Sequence, residues 1–90
     1  MEFQHDETKG RFTVESGHGE ARLEYAKAAD GVLDYRSTFV PEEDRERGVG
    51  EKLVLHALDY AREEDLRVIP TCPFVRHVIE QNPEYRDLVG

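Results

Sequence analysis

The feature that most limits the fold of this chain is a change of rhythm in its apolar residues. As far as Val40 they alternate with polar ones. From Val49 they return every three or four positions. Alternation suits a half-buried strand, and the longer spacing suits one face of a helix. The change falls across "PEEDRERGVG", Pro41 to Gly50. Pro41 has no N–H to give a ladder, so it ends the strand before it. A sheet must therefore give way to a helix within this short stretch.

On the strand side, "GRFTVES" alternates Phe12 and Val14 with polar neighbours, and "SGHG" (Ser16 to Gly19) reads as a turn. "EARLEYAKA" sets Ala21, Leu23 and Tyr25 on one face, Asp30-Gly31 marks a tight hairpin, and "VLDYRSTFV" sets Leu33, Tyr35 and Phe39 on one face. These three strands make an antiparallel meander, to which "EFQHD" adds a short first strand. On the helix side, Val49, Leu53, Val54, Ala57, Leu58 and Ala61 form the inner face of a helix of about 15 residues. Lys52, His56, Asp59 and Glu63 lie opposite, and Asp65 suits a left-handed stop. "LRVIP" is a short buried strand, parallel to the strand before the helix through a right-handed crossover. "PFVRHVIEQN" is a second helix with Pro73 in its first turn, and Tyr85 and Leu88 pack back on the sheet. The expected fold class is α+β: an antiparallel meander plus a β-α-β crossover, giving a mixed sheet with two helices in one domain, residues 1–90.

Composition narrows the function. A net charge of −8 argues against general nucleic-acid binding, which needs a basic surface; it reads first as an acidic surface that favours solubility, and second as attraction for a basic or amine-bearing partner. The longest aliphatic run, Leu53 to Leu55, is far short of a membrane span. The start "MEFQHDETKG" has neither the basic nor the apolar region of a secretory signal, so a soluble cytoplasmic protein is expected. One cysteine, Cys72, rules out an internal disulfide. His5 and His18 are too isolated to suggest a metal site, and nothing specifies an oligomeric state.

Arg45, Gly48 and Gly50 stand at the helix start with spacing R-x-x-G-x-G. The first N–H groups of a helix have no partner within it, and the helix dipole adds positive charge there. Glycines let a bulky anion approach the backbone, and the guanidinium groups of Arg45 and Arg47 match phosphate oxygens. The pattern is neither a Walker A loop nor a dinucleotide fingerprint, because Glu51-Lys52 follows Gly50 and no third glycine follows. Taken alone, the spacing reads first as glycines that merely turn the chain and only second as an anion site. Glu42, Glu43 and Asp44 read as a solvated loop with some attraction for an amine.

Together, "VPEEDRERGVGEKLVLHALDYA", the segment Pro70 to Val75 (P-x-C-P-F-V) and the ending "NPEYRDLV" resemble the GCN5-related N-acetyltransferases, and a small single-domain branch of them. The likeness covers essentially the whole chain. It implies a site for coenzyme A or acetyl-CoA, with an amine acceptor: a small molecule or a protein lysine. It implies that Arg45, Glu46, Arg47, Gly48, Val49 and Gly50 hold the pyrophosphate, and that the backbone of Phe39 and Val40 bonds the pantetheine arm. The thioester would lie where the parallel strands splay, near Pro70 to Cys72. Cys72 then becomes a candidate catalytic residue. A thiolate at a helix N-terminus is reactive, although a small buried hydrophobe is the plainer role for one cysteine. Many members of the family use a tyrosine acid on the second helix, where Val78 or Ile79 stands here, and the small branch often has a histidine where Ser37 stands. Neither His77 nor His56 has the spacing of a partner base for Cys72. Beside an acetyltransferase, two further readings stay open: a non-catalytic acyl-CoA-binding module, and a protein-interaction domain that keeps only the fold.

Overall fold

The computed structural model describes residues 1–90. Alternating segments become four strands: β1 (Phe3–Asp6), β2 (Arg11–Glu15), β3 (Glu20–Ala29) and β4 (Val32–Phe39). They pair antiparallel in chain order, and β5 (Arg67–Ile69) adds to β4 in parallel, giving the order β1-β2-β3-β4-β5. Between β4 and β5 runs α1 (Val49–Glu63), and after β5 comes α2 (Pro73–Gln81). The stretch Glu42–Arg47 is wound into a 3₁₀ turn rather than an open loop, and Pro83–Leu88 forms a second. The α+β mixed sheet with two helices is as the residue pattern requires.

Both helices cover the face that carries Phe12, Leu23 and Tyr35, and one core results. From α1 come Leu53, Val54, Ala57, Leu58 and Ala61, all without exposed surface, and from α2 come Val75, Val78 and Ile79. Tyr35 sits at the centre. Burial pushes its hydroxyl pKa up, and the hydroxyl donates to the Ala57 carbonyl at 2.6 Å. Leu88 closes the core as expected. Tyr85 packs on α1 instead of the sheet, donating its hydroxyl to Asp59 at 2.6 Å. His56, expected on the solvent side of α1, is half-buried because Phe3 stacks on its ring, with centroids 4.5 Å apart.

One correction bears on the site. Glu24 pairs with Ser37 and Tyr25 with Tyr35, so Arg36 is an extra residue, a β-bulge in β4. The bulge flips the alternation. Thr38, opposite the core residue Leu23, now faces the helices, and Phe39, opposite Arg22, faces away from them. Phe39 is therefore not on the face of Leu33 and Tyr35. Its half-exposed ring lies under the Arg22 guanidinium, 4.7 Å from the centroid. Such a bulge leaves no mark in the spacing of apolar residues, because it is a property of the pair of strands.

The parallel pairing is short. Only Val32–Asp34 of β4 pair with Arg67–Ile69 of β5. The next contact is the Cys72 N–H donating to the Tyr35 carbonyl at 3.0 Å, after which the chain leaves the sheet as α2. Beyond that point no strand pairs with Thr38 to Val40 on the side away from β3. The sheet thus splits at the end of β4, beside the start of α1.

Candidate functional site

A cavity of about 510 Å³ occupies the split. Its walls come from three places. The end of β4 gives Thr38, Phe39 and Val40; the loop and first turn of α1 give Arg45, Gly48, Gly50 and Glu51; α2 gives Phe74, His77 and Val78. One wall is therefore apolar, and the other holds the N-terminus of a helix.

Gly48 precedes that helix with φ 75°, a left-handed conformation that disfavours a side chain. A Cβ added there would meet nothing within 4 Å, so the position opens outward. No side chain caps the first turn of α1. The amide donors there, aligned with the helix dipole, suit a phosphate oxygen. Gly50 serves differently. An added Cβ would lie 3.1 Å from Phe74 and 3.2 Å from Val40, so the missing side chain lets α1 approach both cavity walls. Each glycine of the R-x-x-G-x-G spacing has its own physical reason.

The two arginines separate. Arg45 lines the cavity and is steered by its Nε, which donates to the Val40 carbonyl at 2.9 Å. Arg47 turns the other way and donates to Asp44 at 3.2 Å. Of the residues that the sequence placed at a pyrophosphate and arm site, Phe39, Val40, Arg45, Gly48 and Gly50 line the cavity. Glu46 and Arg47 do not line it, and Val49 is buried in the core. The Val40 carbonyl, expected to bond a pantetheine arm, already accepts from Arg45.

Asp44 corrects the reading of "EEDRER" as a solvated loop. Its neighbours Glu42 and Glu43 are exposed, but Asp44 has no exposed surface. Its carboxylate accepts from the Ser16 hydroxyl (2.7 Å), the His18 amide (3.1 Å) and the His18 Nδ1 (3.0 Å), besides Arg47. The hydrogen bonds from His18 and Ser16 hold its pKa down, from 3.8 to about 2. The same pairing raises the pKa of His18. Two residues of a distant turn supply these partners, so no local pattern reveals them.

Cys72 is buried, 5% exposed, as the residue just before α2. Its sulfur does not line the cavity; it lies 3.6 Å from the hydroxyl of Thr38, which does. Val78 lines the cavity with an apolar side chain, whereas Ile79 is buried elsewhere in the core. The sequence reading missed Thr38, Glu51, Phe74 and His77 as wall residues. His77 and Glu51 bring to the cavity two groups able to exchange protons, and their shared placement depends on how α1 and α2 cross.

A glycine-bounded helix start, an arginine and an apolar slot meet in one cavity, which fits a phosphate-bearing ligand with a long flexible arm. The sequence profile described as GCN5-related N-acetyl-transferase matches residues 11–88. The chain belongs to the GCN5-related N-acetyltransferase family. Members of this family generally use acetyl-CoA and an acceptor. Among relatives of this acetyltransferase-family chain, Protein NATD1 of Bos taurus is 35% identical over 82 residues, covering 89% of this chain and 73% of its own length. Protein NATD1 of Homo sapiens is 34% identical over 82 residues, with the same 89% and 73% coverage. The NMR solution structure of a GCN5-like protein from Staphylococcus aureus superposes with a TM-score of 0.77 at 25% identity, covering 99% of this chain and 87% of the other. No helix is long and apolar enough to cross a membrane.

Proposed function

We propose that this family member transfers an acetyl group from acetyl-CoA to a primary amine, on a small molecule or a protein lysine. The observation that carries the proposal is the cavity at the split of β4 and β5, with the uncapped start of α1 on one side and apolar walls on the other. Gly48, Gly50 and the first-turn amides of α1 take the pyrophosphate, and Arg45 adds charge from the side. Phe39, Val40, Phe74 and Val78 enclose the arm.

The reaction reads as direct attack. The amine nitrogen forms a bond to the acetyl carbon, the carbon–sulfur bond breaks, one proton leaves the nitrogen and one reaches the departing thiolate. His77 and Glu51 are the wall residues able to take the first proton and pass one on to the departing thiolate, and the Thr38 hydroxyl is the wall group able to donate a hydrogen bond to that sulfur. Cys72 stands behind Thr38 and stays out of this route. The Cys72→Ser variant is therefore expected to keep turnover within about tenfold, whereas a thiol that carries the acyl group would cost many orders of magnitude on removal.

Incubating the protein with acetyl-CoA and a panel of primary amines, while following release of free thiol, tests the proposal. Thiol release that needs both protein and amine supports it; no release above buffer across the panel overturns it. One observation favours a second reading, a non-catalytic acyl-CoA-binding module: Val78 presents no proton to the cavity, near the place where the family resemblance implies a tyrosine acid. Coenzyme A binding without turnover on any amine would establish that reading in place of the first.

A further inference from the structure

We propose that Asp44 is the positioning residue of the phosphate loop: its buried carboxylate clasps Glu42–Arg47 to the turn Ser16–Gly19, and coenzyme A affinity depends on the clasp. The inference rests on the cofactor reading above.

The clasp is fully built. An ionised carboxylate offers about four lone-pair sites. Those of Asp44 receive four donors, from the Ser16 hydroxyl, the His18 amide, His18 Nδ1 and Arg47 Nη1. The turn lies in contact with the loop it holds. A Cβ on Gly17 would lie 3.6 Å from the Asp44 carboxylate, and one on Gly19 would lie 3.4 Å from the Pro41 ring. Four residues after Asp44, Gly48 starts the helix whose amides face the cavity. Between these two points Arg45 is pinned through Val40. Releasing Asp44 frees the segment that sets the direction of the first-turn donors. It also frees Arg47, whose charge the carboxylate holds away from the cavity.

The charged groups around the clasp are His18 from the turn, Arg47 from the same 3₁₀ turn and Glu43 beside it in the chain. Two of these are cationic when His18 is protonated, so protonated His18 tightens the clasp and neutral His18 leaves the hydrogen bond to the carboxylate without the attraction between opposite charges. Coenzyme A affinity accordingly carries a component that weakens as His18 loses its proton, and removing His18 removes that component.

The experiment compares wild type, Asp44→Asn and His18→Ala. It reads the coenzyme A dissociation constant by calorimetry, amide hydrogen exchange along residues 45–50, and the KM and kcat for acetyl-CoA. Losing hydrogen bonds to a charged group predicts a rise of about tenfold in the dissociation constant and KM of Asp44→Asn, with kcat within about twofold. Exchange should quicken at residues 45–50 but not in the middle of α1. His18→Ala should raise the dissociation constant several-fold below about pH 6.5, and by less and less as pH rises and wild type itself loses the imidazolium. Wild-type affinity in both variants with unchanged loop exchange overturns the proposal. So does a uniform rise of exchange over the whole chain with kcat and affinity falling together, which marks Asp44 as merely a fold residue. If Asp44→Asn does not fold, His18→Ala decides, because its imidazole is largely exposed and its loss leaves the core intact. If wild type binds no coenzyme A, the cofactor reading fails, and quickened exchange at residues 45–50 in the variants still decides whether the clasp exists.

Discussion

At the scale of single residues, the two glycines of the loop predict different outcomes when substituted. Gly48 has a positive φ and open space, so Gly48→Ala pays only in backbone strain, about 1–2 kcal/mol. In a domain of this size that lowers the melting temperature by about 4–16 °C, read by thermal unfolding. Gly50 has helical backbone but crowded surroundings. Gly50→Val must push aside Phe74 and Val40, the cavity walls themselves, so the expected loss falls on coenzyme A affinity. A valine variant that binds as wild type would show that these walls are not part of the site. The residues also mark where sequence reading stops. Gly48, Gly50 and Arg45 were legible because a helix start imposes its chemistry locally. Asp44 was not: burying a carboxylate needs partners, and these come from Ser16 and His18, 28 and 26 residues away.

At the scale of elements, α1 ends as its last residues dictate. Asp65 takes φ 56°, its N–H reaches the Arg62 carbonyl at 3.2 Å, and the Leu66 N–H reaches Ala61 at 2.8 Å. This is the left-handed stop that Asp65 suggested, and it aims the chain back at β5. Asp65→Val places a β-branched side chain in that conformation and should cost about 1–2 kcal/mol in denaturant unfolding. An unchanged stability would mean that the turn has another solution. All five strands and both α-helices were legible from period and turn residues, but the 3₁₀ turns Glu42–Arg47 and Pro83–Leu88 were not. The facing of the end of β4 was not, because the bulge at Arg36 arises from pairing with β3 and moves Phe39 to the far side of the sheet. The expected arm-binding strand therefore presents Thr38 and Val40 to the helices, and Phe39 reaches the cavity from its rim.

At the scale of the whole molecule, charge and pH shape the behaviour. The chain carries −8, and coenzyme A is itself an anion. Their general repulsion slows encounter at low ionic strength. Added salt, up to about 0.15 M, should therefore raise the association rate, the reverse of what a basic phosphate-binding surface gives. The clasp adds a pH dependence. Asp44, with its pKa lowered from 3.8, contributes stability fully above that value and loses it as pH falls toward about 2. His18, raised from 6.5, contributes fully below that value and loses its share as pH rises through its raised pKa. The clasp is therefore strongest between about pH 4 and 6.5. Melting curves should show His18→Ala losing most against wild type inside that window. The fold was legible at this scale because the strands pair in chain order, and the family because the loop before α1, the segment Pro70 to Val75 and the ending occur together in one short chain. The acceptor was not, because no residue pattern in the chain describes a face for it.

The central claim is that the bare start of α1 at Gly48 and Gly50 grips a diphosphate. Thermal unfolding of wild type and of Gly48→Glu, with and without coenzyme A, tests it most directly. A ligand at a hundredfold excess over its dissociation constant stabilises the folded state by about 2.7 kcal/mol. Wild type should melt higher with coenzyme A. Gly48→Glu, whose added carboxylate stands where the phosphates belong, should melt at one temperature with or without it. A wild type indifferent to coenzyme A, or a Gly48→Glu variant stabilised just as much, would contradict the account.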